Sequence, residues 1–437
     1  MLSSFKSAPL ISALGLSILS LSACGSGGGG PAADQLGPNP KLPSQNQYLI
    51  PPMHVASPES WGNRVPKVAD GLKVTAFATD LKNARSLYVL PNGDVLVAEP
   101  KAPSEPIARP KDIIVGVVQS FGHSSVKGAD QITLLRDTDG DGKADIRTVL
   151  ITKLTSPFGM ALVGSDLYVA NTDAIIRYPY VTGQTKIAAR GTVLTELPGG
   201  PINHHWTKSL TASPDGTKLY VGIGSNSNIT EAGMEAEKDR ARIWEVDRLT
   251  GAHRDYATGL RNPNGLTFNP ADGALWTVVN ERDELGPDLV PDYMTSVRPG
   301  GFYGWPWSYW GRNVDPRVMP RRPDKVATAI MPDYSLSSHV APLGMAFYDG
   351  QNMPVYKGGA FVGEHGSWNR GNLNGYKVVW VPFAGSKPNG KARDIVTGFI
   401  APDGKALGRP VGLAVDKAGA LLIADDLGNV VWRVSAR

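Results

Sequence analysis

From about residue 70 onward, hydrophobic positions come in short runs, and successive runs are separated by turns rich in Pro, Asp and Gly. Runs this short, built from Val, Leu, Ile, Tyr and Ala, read as β-strands, and no long segment carries the apolar spacing of an amphipathic helix. One pattern recurs six times: an apolar strand, a turn, and a second apolar strand closing on a polar residue. The copies span 86–99, 159–171, 209–225, 265–280, 344–364 and 412–425, and their starts lie 73, 50, 56, 79 and 68 residues apart. About fifty residues is the room that four short antiparallel strands and their turns require; longer intervals imply insertions. Six such units predict an all-β, six-bladed β-propeller. The last copy has only three strands, 412–415, 420–424 and 430–434, while an unassigned strand at 73–80 precedes the first copy. Pairing these two closes the ring and leaves no open edge at the seam.

The repeat also sorts residues by face. Strand direction alternates in a four-stranded meander, so the loop into each inner strand and the loop out of the second strand share one face. The residues before the inner strands include Arg85, His205, Arg261 with Asn262, His339 and Arg409. Those after the second strands are Glu99, Asn171, Ser225 with Asn226, Asn280 to Asp283, Glu364 with His365, and Asp425 with Asp426. Cations and imidazoles from several blades are therefore expected at one mouth of the axis, with few balancing carboxylates, which suggests a polyanionic ligand. His205 can take a proton from a substrate hydroxyl near neutral pH; filling the channel and binding a metal are the alternatives. The planar fork of Arg261 suits an oxyanion or carboxylate, or else an ion pair between blades, and Arg409 has the same two readings. Arg370 closes the loop 364–370, in which Trp368 could stack on a flat ligand.

Composition removes some classes. Fifty glycines and 35 prolines agree with a turn-dense fold, and a net charge of +4 without a block of five like charges argues against nucleic acid as a partner. A single cysteine excludes an internal disulfide framework. That cysteine follows Lys6 and an apolar stretch, Ile11 to Ala23, too short to span a membrane but suited to an export signal. Leu21-Ser22-Ala23-Cys24 resembles the bacterial lipoprotein cleavage box, in which the cysteine is lipidated. The expected organisation is a signal peptide over 1–23, a flexible tether over 24–47 and the propeller over 48–437. The protein would then be exported and lipid-anchored on the periplasmic side of a membrane, and the lack of Asp after Cys24 favours the outer membrane. Asp137, Asp139, Asp141 and Asp145 have the spacing of a calcium loop, without the closing Glu of an EF-hand because Thr148 stands in its place. The loop falls between the outer strands of the first blade, on the face away from the mouth, so its two readings are a structural calcium site and a plain acidic turn, neither of them catalytic. Residues 300–307 read as aromatic packing, and 101–127 as a lid or a partner surface.

Six motifs, in order and in the right blades, resemble the glucose/sorbosone dehydrogenase family. They are Asn203-His-His-Trp-Thr-Lys208, Leu260-Arg-Asn-Pro-Asn-Gly265, Asn280-Glu-Arg-Asp-Glu284, Gly300-Gly-Phe-Tyr-Gly-Trp-Pro306, His339-Val-Ala-Pro342 and Gly408-Arg-Pro-Val411. The family's members are six-bladed propellers that use pyrroloquinoline quinone (PQQ) with calcium. The similarity is greatest to L-sorbosone dehydrogenases and quinone-dependent pyranose dehydrogenases. The resemblance implies oxidation of a sugar or sugar aldehyde by hydride transfer to PQQ, with electrons passing on to a redox acceptor. It makes His205 the catalytic base and Arg261 the group that stabilises the quinone oxyanion. Asn262, His339, Arg409 and, in place of the family's lysine, Arg370 become cofactor contacts. Cofactor calcium would be held by the loop Glu281, Arg282 and Asp283, partly through backbone carbonyls. This chain has no counterpart in 156–160 to a glutamine of the glucose enzyme, and His204 stands where that enzyme has a carboxylate. A calcium-dependent lactonase-type hydrolase and a non-catalytic binding propeller are the rival readings.

Overall fold

The computed structural model describes residues 32–47, 53–104 and 127–437. Six four-stranded antiparallel sheets are arranged as the blades of a propeller, each numbered from its innermost strand outward. Blade one is Ser86–Val89, Val95–Glu99, Gln131–Arg136 and Ile146–Ile151; blade two is Met160–Val163, Asp166–Ala170, Ala174–Pro179 and Thr192–Glu196. Blade three is Leu210–Ala212, Lys218–Ile223, Arg242–Asp247 and His253–Thr258; blade four is Pro263–Phe268, Leu275–Val279, Pro291–Ser296 and Tyr334–Ser338. Blade five is Pro342–Phe347, Ala360–Glu364, Lys377–Val381 and Arg393–Thr397. Blade six is Pro410–Val415, Leu421–Asp425 and Val430–Ala436, and its outer strand comes from Leu72–Ala78. That strand pairs from Leu72 opposite Ala436 to Ala78 opposite Val431, so the ring closes as the repeat requires.

The glycine that opens most copies of the repeat has a packing cause. A Cβ on Gly344 would stand 2.1 Å from the Val411 carbonyl oxygen, and one on Gly412 would stand 2.5 Å from that of Arg85. Each of these glycines lets one inner strand touch the backbone of the next blade. Three inner strands begin earlier than the alternation suggests, at Pro263, Pro342 and Pro410, because a register shift follows each start. The extra residue interrupts the period of two by which a strand is recognised.

The inner strands of all six blades line an axial cavity of about 330 Å³. Phe158, Leu343 and Val411, from the mouth ends of blades two, five and six, form an apolar cluster, and the first two line that cavity. Phe158 thus sits in the stretch 156–160, which has no glutamine.

Two additions position the mouth. Residues 297–333 leave blade four, and Gly301–Phe302 adds in parallel to Ala257 and Thr258 of blade three. Gly300–Trp307 is packing as expected: Tyr303 and Trp305 are buried. The segment expected to be a free tether is docked over its described second half. Leu36–Gly37 pairs with Leu336 and Ser335, and the buried Gln35 side chain accepts hydrogen bonds from Ser337 Oγ, Ser338 N and Ser338 Oγ. An open strand edge at blade four and a row of serine donors are what the tether covers. Cys24 and most of 101–127 lie outside the described residues.

Candidate active site at the mouth

At the mouth end of blade three the backbone passes through Gly224, where any side chain would collide with two others. A Cβ there would lie 2.4 Å from His205 Cβ and 2.5 Å from Asn262 Oδ1. The missing side chain lets His205 and Asn262 approach each other. His205 Nδ1 is 2.9 Å from the Ser225 carbonyl oxygen and 3.0 Å from Ser225 Oγ. A carbonyl only accepts, so Nδ1 carries the proton and Nε2 keeps its lone pair. Arg240 holds the His205 carbonyl at 3.2 Å and Asn203 Oδ1 at 3.0 Å. Burial first, then the charges of Arg261 and His204, hold the imidazole well below its ordinary pKa. His205 is therefore neutral, oriented and basic at Nε2.

Arg261 is 3% exposed and its donors are occupied. Nε donates to Asn228 O (3.2 Å), Nη1 to Asn280 O (3.2 Å) and Glu281 O (2.8 Å), and Nη2 to Asn228 Oδ1 (3.1 Å), with Asp283 Oδ2 at 3.5 Å. Asn228 knits this corner together: its Oδ1 also accepts from Asp283 N at 2.7 Å, and its carbonyl accepts from Trp305 Nε1 at 3.0 Å. Asp283 faces His339 Nδ1 at 3.4 Å, while His339 Nε2 donates to Gly286 O at 3.0 Å. Burial opposes charge on His339, but Asp283, Asp292 and the Gly286 carbonyl outweigh it and raise its pKa. Asp283 likewise overcomes its own burial, through His339 and Arg261, and is drawn down to about 2. Both shifts favour the charged forms of the pair.

The loop expected to hold cofactor calcium is committed elsewhere. The Glu281 carbonyl accepts Arg261, and the buried Glu281 carboxyl is pushed up to about 7, chiefly by desolvation. Arg282 forms a buried ion pair with Asp315 at 3.0 Å, both side chains 1% exposed. Arg282 ties the loop to the blade-four excursion and offers no metal ligand.

Across the axis, blades six, one and five bring Arg85, His365 and Arg409 together around Asp426. Arg85 Nη1 is 2.8 Å from Asp426, and His365 Nε2 is 3.0 and 3.1 Å from its two oxygens. The Arg409 guanidinium lies over the Tyr376 ring at 5.7 Å, and among the described residues no carboxylate comes within 4 Å of that guanidinium, although the Arg409 backbone N donates to Asp425 Oδ1 at 2.8 Å. The Nε atoms of Arg85 and Arg409 are buried without a hydrogen-bond partner. Arg282 and Arg370 also hold buried nitrogens without a partner, but beside ion-paired aspartates, whereas Arg409 has, among the described residues, no carboxylate beside its guanidinium and has room for an acceptor.

The structure therefore brings together His205 with Asn262, and Arg261 with Asp283 and His339, while Arg409 joins Arg85 and His365. Arg370 stands apart: Nη2 pairs with Asp288 at 2.9 Å and Nη1 with Ser338 Oγ at 3.1 Å, so its fork braces the wall between blades four and five. The expected shortage of balancing carboxylates is corrected, because Asp283, Asp288, Asp315 and Asp426 each face an arginine. The acids that end three second strands, Glu99, Glu364 and Asp425, are no more than 1% exposed and belong to the blades. Asp425, for example, accepts from Trp61 Nε1 at 2.8 Å and Trp432 Nε1 at 3.1 Å. On the opposite face Asp137, Asp139 and Asp145 bring ligand atoms within 4.8 Å of one another, and Asp141 is not in the group. Asn228 and Arg240 escaped sequence reasoning. Asn228 lies three residues past Ser225 in a run of small polar residues, the one signal that could have marked it.

A closed six-bladed propeller whose arginines and histidines gather at one mouth is the class that fold and site define. The family model for glucose/sorbosone dehydrogenases matches residues 164–398, and the chain belongs to that family. Aldose sugar dehydrogenase YliI of Escherichia coli is 27% identical over 193 residues, covering 41% of this chain and half of that protein. A pyrroloquinoline quinone-dependent pyranose dehydrogenase of Coprinopsis cinerea is 27% identical over 222 residues, covering 41% of this chain and 30% of that protein. The chain thus matches half or less of the length of these two relatives. The solved holo form of the Coprinopsis cinerea pyranose dehydrogenase PQQ domain superimposes with a TM-score of 0.68 at 20% identity, covering 87% of this chain and all of that one.

Proposed function

We propose that this protein oxidises a sugar or sugar aldehyde with PQQ as cofactor and His205 as general base. The observation that carries the reading is the orientation of His205: the Ser225 carbonyl holds the Nδ1 proton, so Nε2 is free to accept one from a sugar hydroxyl. Burial, then the fixed positive charge of Arg261 with its donors satisfied, keeps His205 neutral.

PQQ bears three carboxylates, and the residues present fit it. Arg85 and His365 both contact Asp426, Arg409 lies close enough to act on it by charge, and the Nε atoms of the two arginines lack acceptors that a carboxylate would provide. When bound, the quinone supplies the two-electron acceptor that no side chain offers. Asn262, wedged beside His205 at Gly224, would be the neighbouring cofactor contact. Calcium at the quinone would take its oxygens from the Glu281 carbonyl and Asp283, in competition with Arg261, which contacts both. Asp137, Asp139 and Asp145 are the set for a separate structural calcium. Cys24 would carry the lipid anchor on the periplasmic side, and a redox partner would collect the electrons.

A lactonase-type hydrolase would gather carboxylates around an axial ion. Among the described residues the single such group is on the opposite face, which disfavours that rival. The test is to add PQQ and Ca²⁺ to purified protein and follow dye reduction with a panel of aldoses and with sorbosone. Cofactor-dependent reduction is expected; a protein that retains no PQQ and reduces no dye is a binding propeller instead.

A further inference from the structure

The blade-four excursion carries a surface that dehydrogenase chemistry does not use. Between 312 and 325 stand five basic residues, Arg312, Arg317, Arg321, Arg322 and Lys325, against two acidic ones. One of the two, Asp315, is buried on Arg282, and the other, Asp324, pairs with Arg322. Arg317 is held by Glu284 at 2.7 Å, whereas Arg312, Arg321 and Lys325 are exposed and have no carboxylate within 4 Å among the described residues. Arg321 donates to backbone oxygens of Asp315 and Pro316.

Large apolar side chains are exposed in the same place. Met319 is 67% exposed, Met331 58% and Val314 49%, three of the ten large exposed hydrophobic residues among those described. The patch is built rather than loose. Trp307 Nε1 donates to Pro320 O at 3.1 Å, Arg322 lies over the Trp307 ring at 5.4 Å, and Met331 abuts Gly311. It stands on the mouth side, because Glu284 follows the Asp283 loop directly.

We propose that this surface rests on an anionic lipid bilayer. Basic side chains alternating with protruding methionine and valine match a headgroup layer, which offers negative charge and an apolar interior in one contact. Nucleic acid or an acidic protein would account for the arginines and leave Met319 and Met331 without purpose. A second observation points the same way. The N-terminal segment is fastened to this side of the molecule: Gln35–Gly37 on blade four's outer strand, Gln45 Nε2 on Tyr309 OH at 2.9 Å, and Asn46 N on Leu285 O at 2.8 Å. An anchor at Cys24, eleven residues before Gln35, would hold this edge within about 40 Å of the bilayer. The contact would turn the mouth toward the membrane and place its electron acceptor there. The proposal does not require that Cys24 be lipidated or that PQQ be the cofactor.

The experiment is hydrogen exchange by mass spectrometry on the full chain, with vesicles of phosphatidylglycerol and phosphatidylethanolamine or of phosphatidylcholine alone. Amides of 308–322 are expected to exchange several-fold more slowly with the phosphatidylglycerol vesicles and to be unchanged with phosphatidylcholine. Peptides of 181–194, on the outer side of blade two, should not respond to either. The double variant Arg312→Glu/Arg321→Glu should lose the protection while keeping its Tm, and 0.5 M salt (roughly a 4 Å screening length) should do the same to the wild type. Equal exchange with both lipids, or protection that survives the double variant, overturns the proposal.

Discussion

At the mouth, Arg261 on one side and Arg85 with Arg409 on the other stand in opposite states of commitment. On the side of blades three and four, every arm of Arg261 has an acceptor, and Asn228, Asp283 and His339 bind one another. On the side of blades five, six and one, Arg85 and Arg409 keep buried Nε donors with nothing to donate to. A cation whose hydrogen bonds are complete acts through its field and through the shape it enforces. One left incomplete is ready for a ligand, since a buried unmet donor costs about 1–3 kcal/mol. On the proposed function, the difference separates residues that would set up the base from residues that would receive the cofactor.

The comparison can be broken in order of effect. His205→Ala should lower kcat by about 10²–10⁴-fold with little change in Tm, and an unaltered rate would remove His205 from the chemistry. In the wild type, kcat/KM should be level through neutrality and fall only in acid, because a lowered pKa leaves the imidazole neutral, and so basic, down to well below pH 6.5. Arg261→Gln should destabilise the fold by roughly 2–4 kcal/mol, read by urea unfolding, because Asp283 and three carbonyls lose their partner. Arg409→Gln should leave unfolding nearly unchanged and weaken PQQ retention by about 10–100-fold, the cost of one charge-assisted contact. If the two arginine variants exchanged behaviours, the division of the mouth would be reversed.

A smaller, pH-dependent effect probes the blade beneath. Glu364 is 1% exposed with Oε2 unpartnered, and burial pushes its pKa up to about 8. The unfolded carboxyl loses its proton near pH 4, so wild-type stability is intact below that and declines as pH rises toward 8. Glu364→Gln removes that decline, and its stability relative to wild type should improve by about 2–4 kcal/mol between pH 5 and pH 8. Trp305→Phe, which deletes the bond to the Asn228 carbonyl and part of a buried ring, should cost about 2 kcal/mol and shift the His205 profile little.

Much of this was legible beforehand. The six copies and the orphan strand at 73–80 gave the propeller and its closure, because strand alternation and turn chemistry are local. The phase of His205, Arg261 and Arg409 in the repeat placed them at one mouth for the same reason. Arg370 shows where that logic stops. Its loop position suggested a free cation, yet Asp288, eighty-two residues away in the chain, holds it. Arg282 is the same case with Asp315. Asn228 carries no charge and no motif, so its grip on both Arg261 and Asp283 could not be read from its neighbours.

Blade number, strand order and the face on which each loop emerges were thus decided by the sequence alone, since period and turn type depend on residues a few positions apart. Which cation is paired and which is left open was decided by tertiary structure. Charge compensation depends on distances of 3 Å between side chains that different blades bring to the axis, and those distances exist only once the ring has closed.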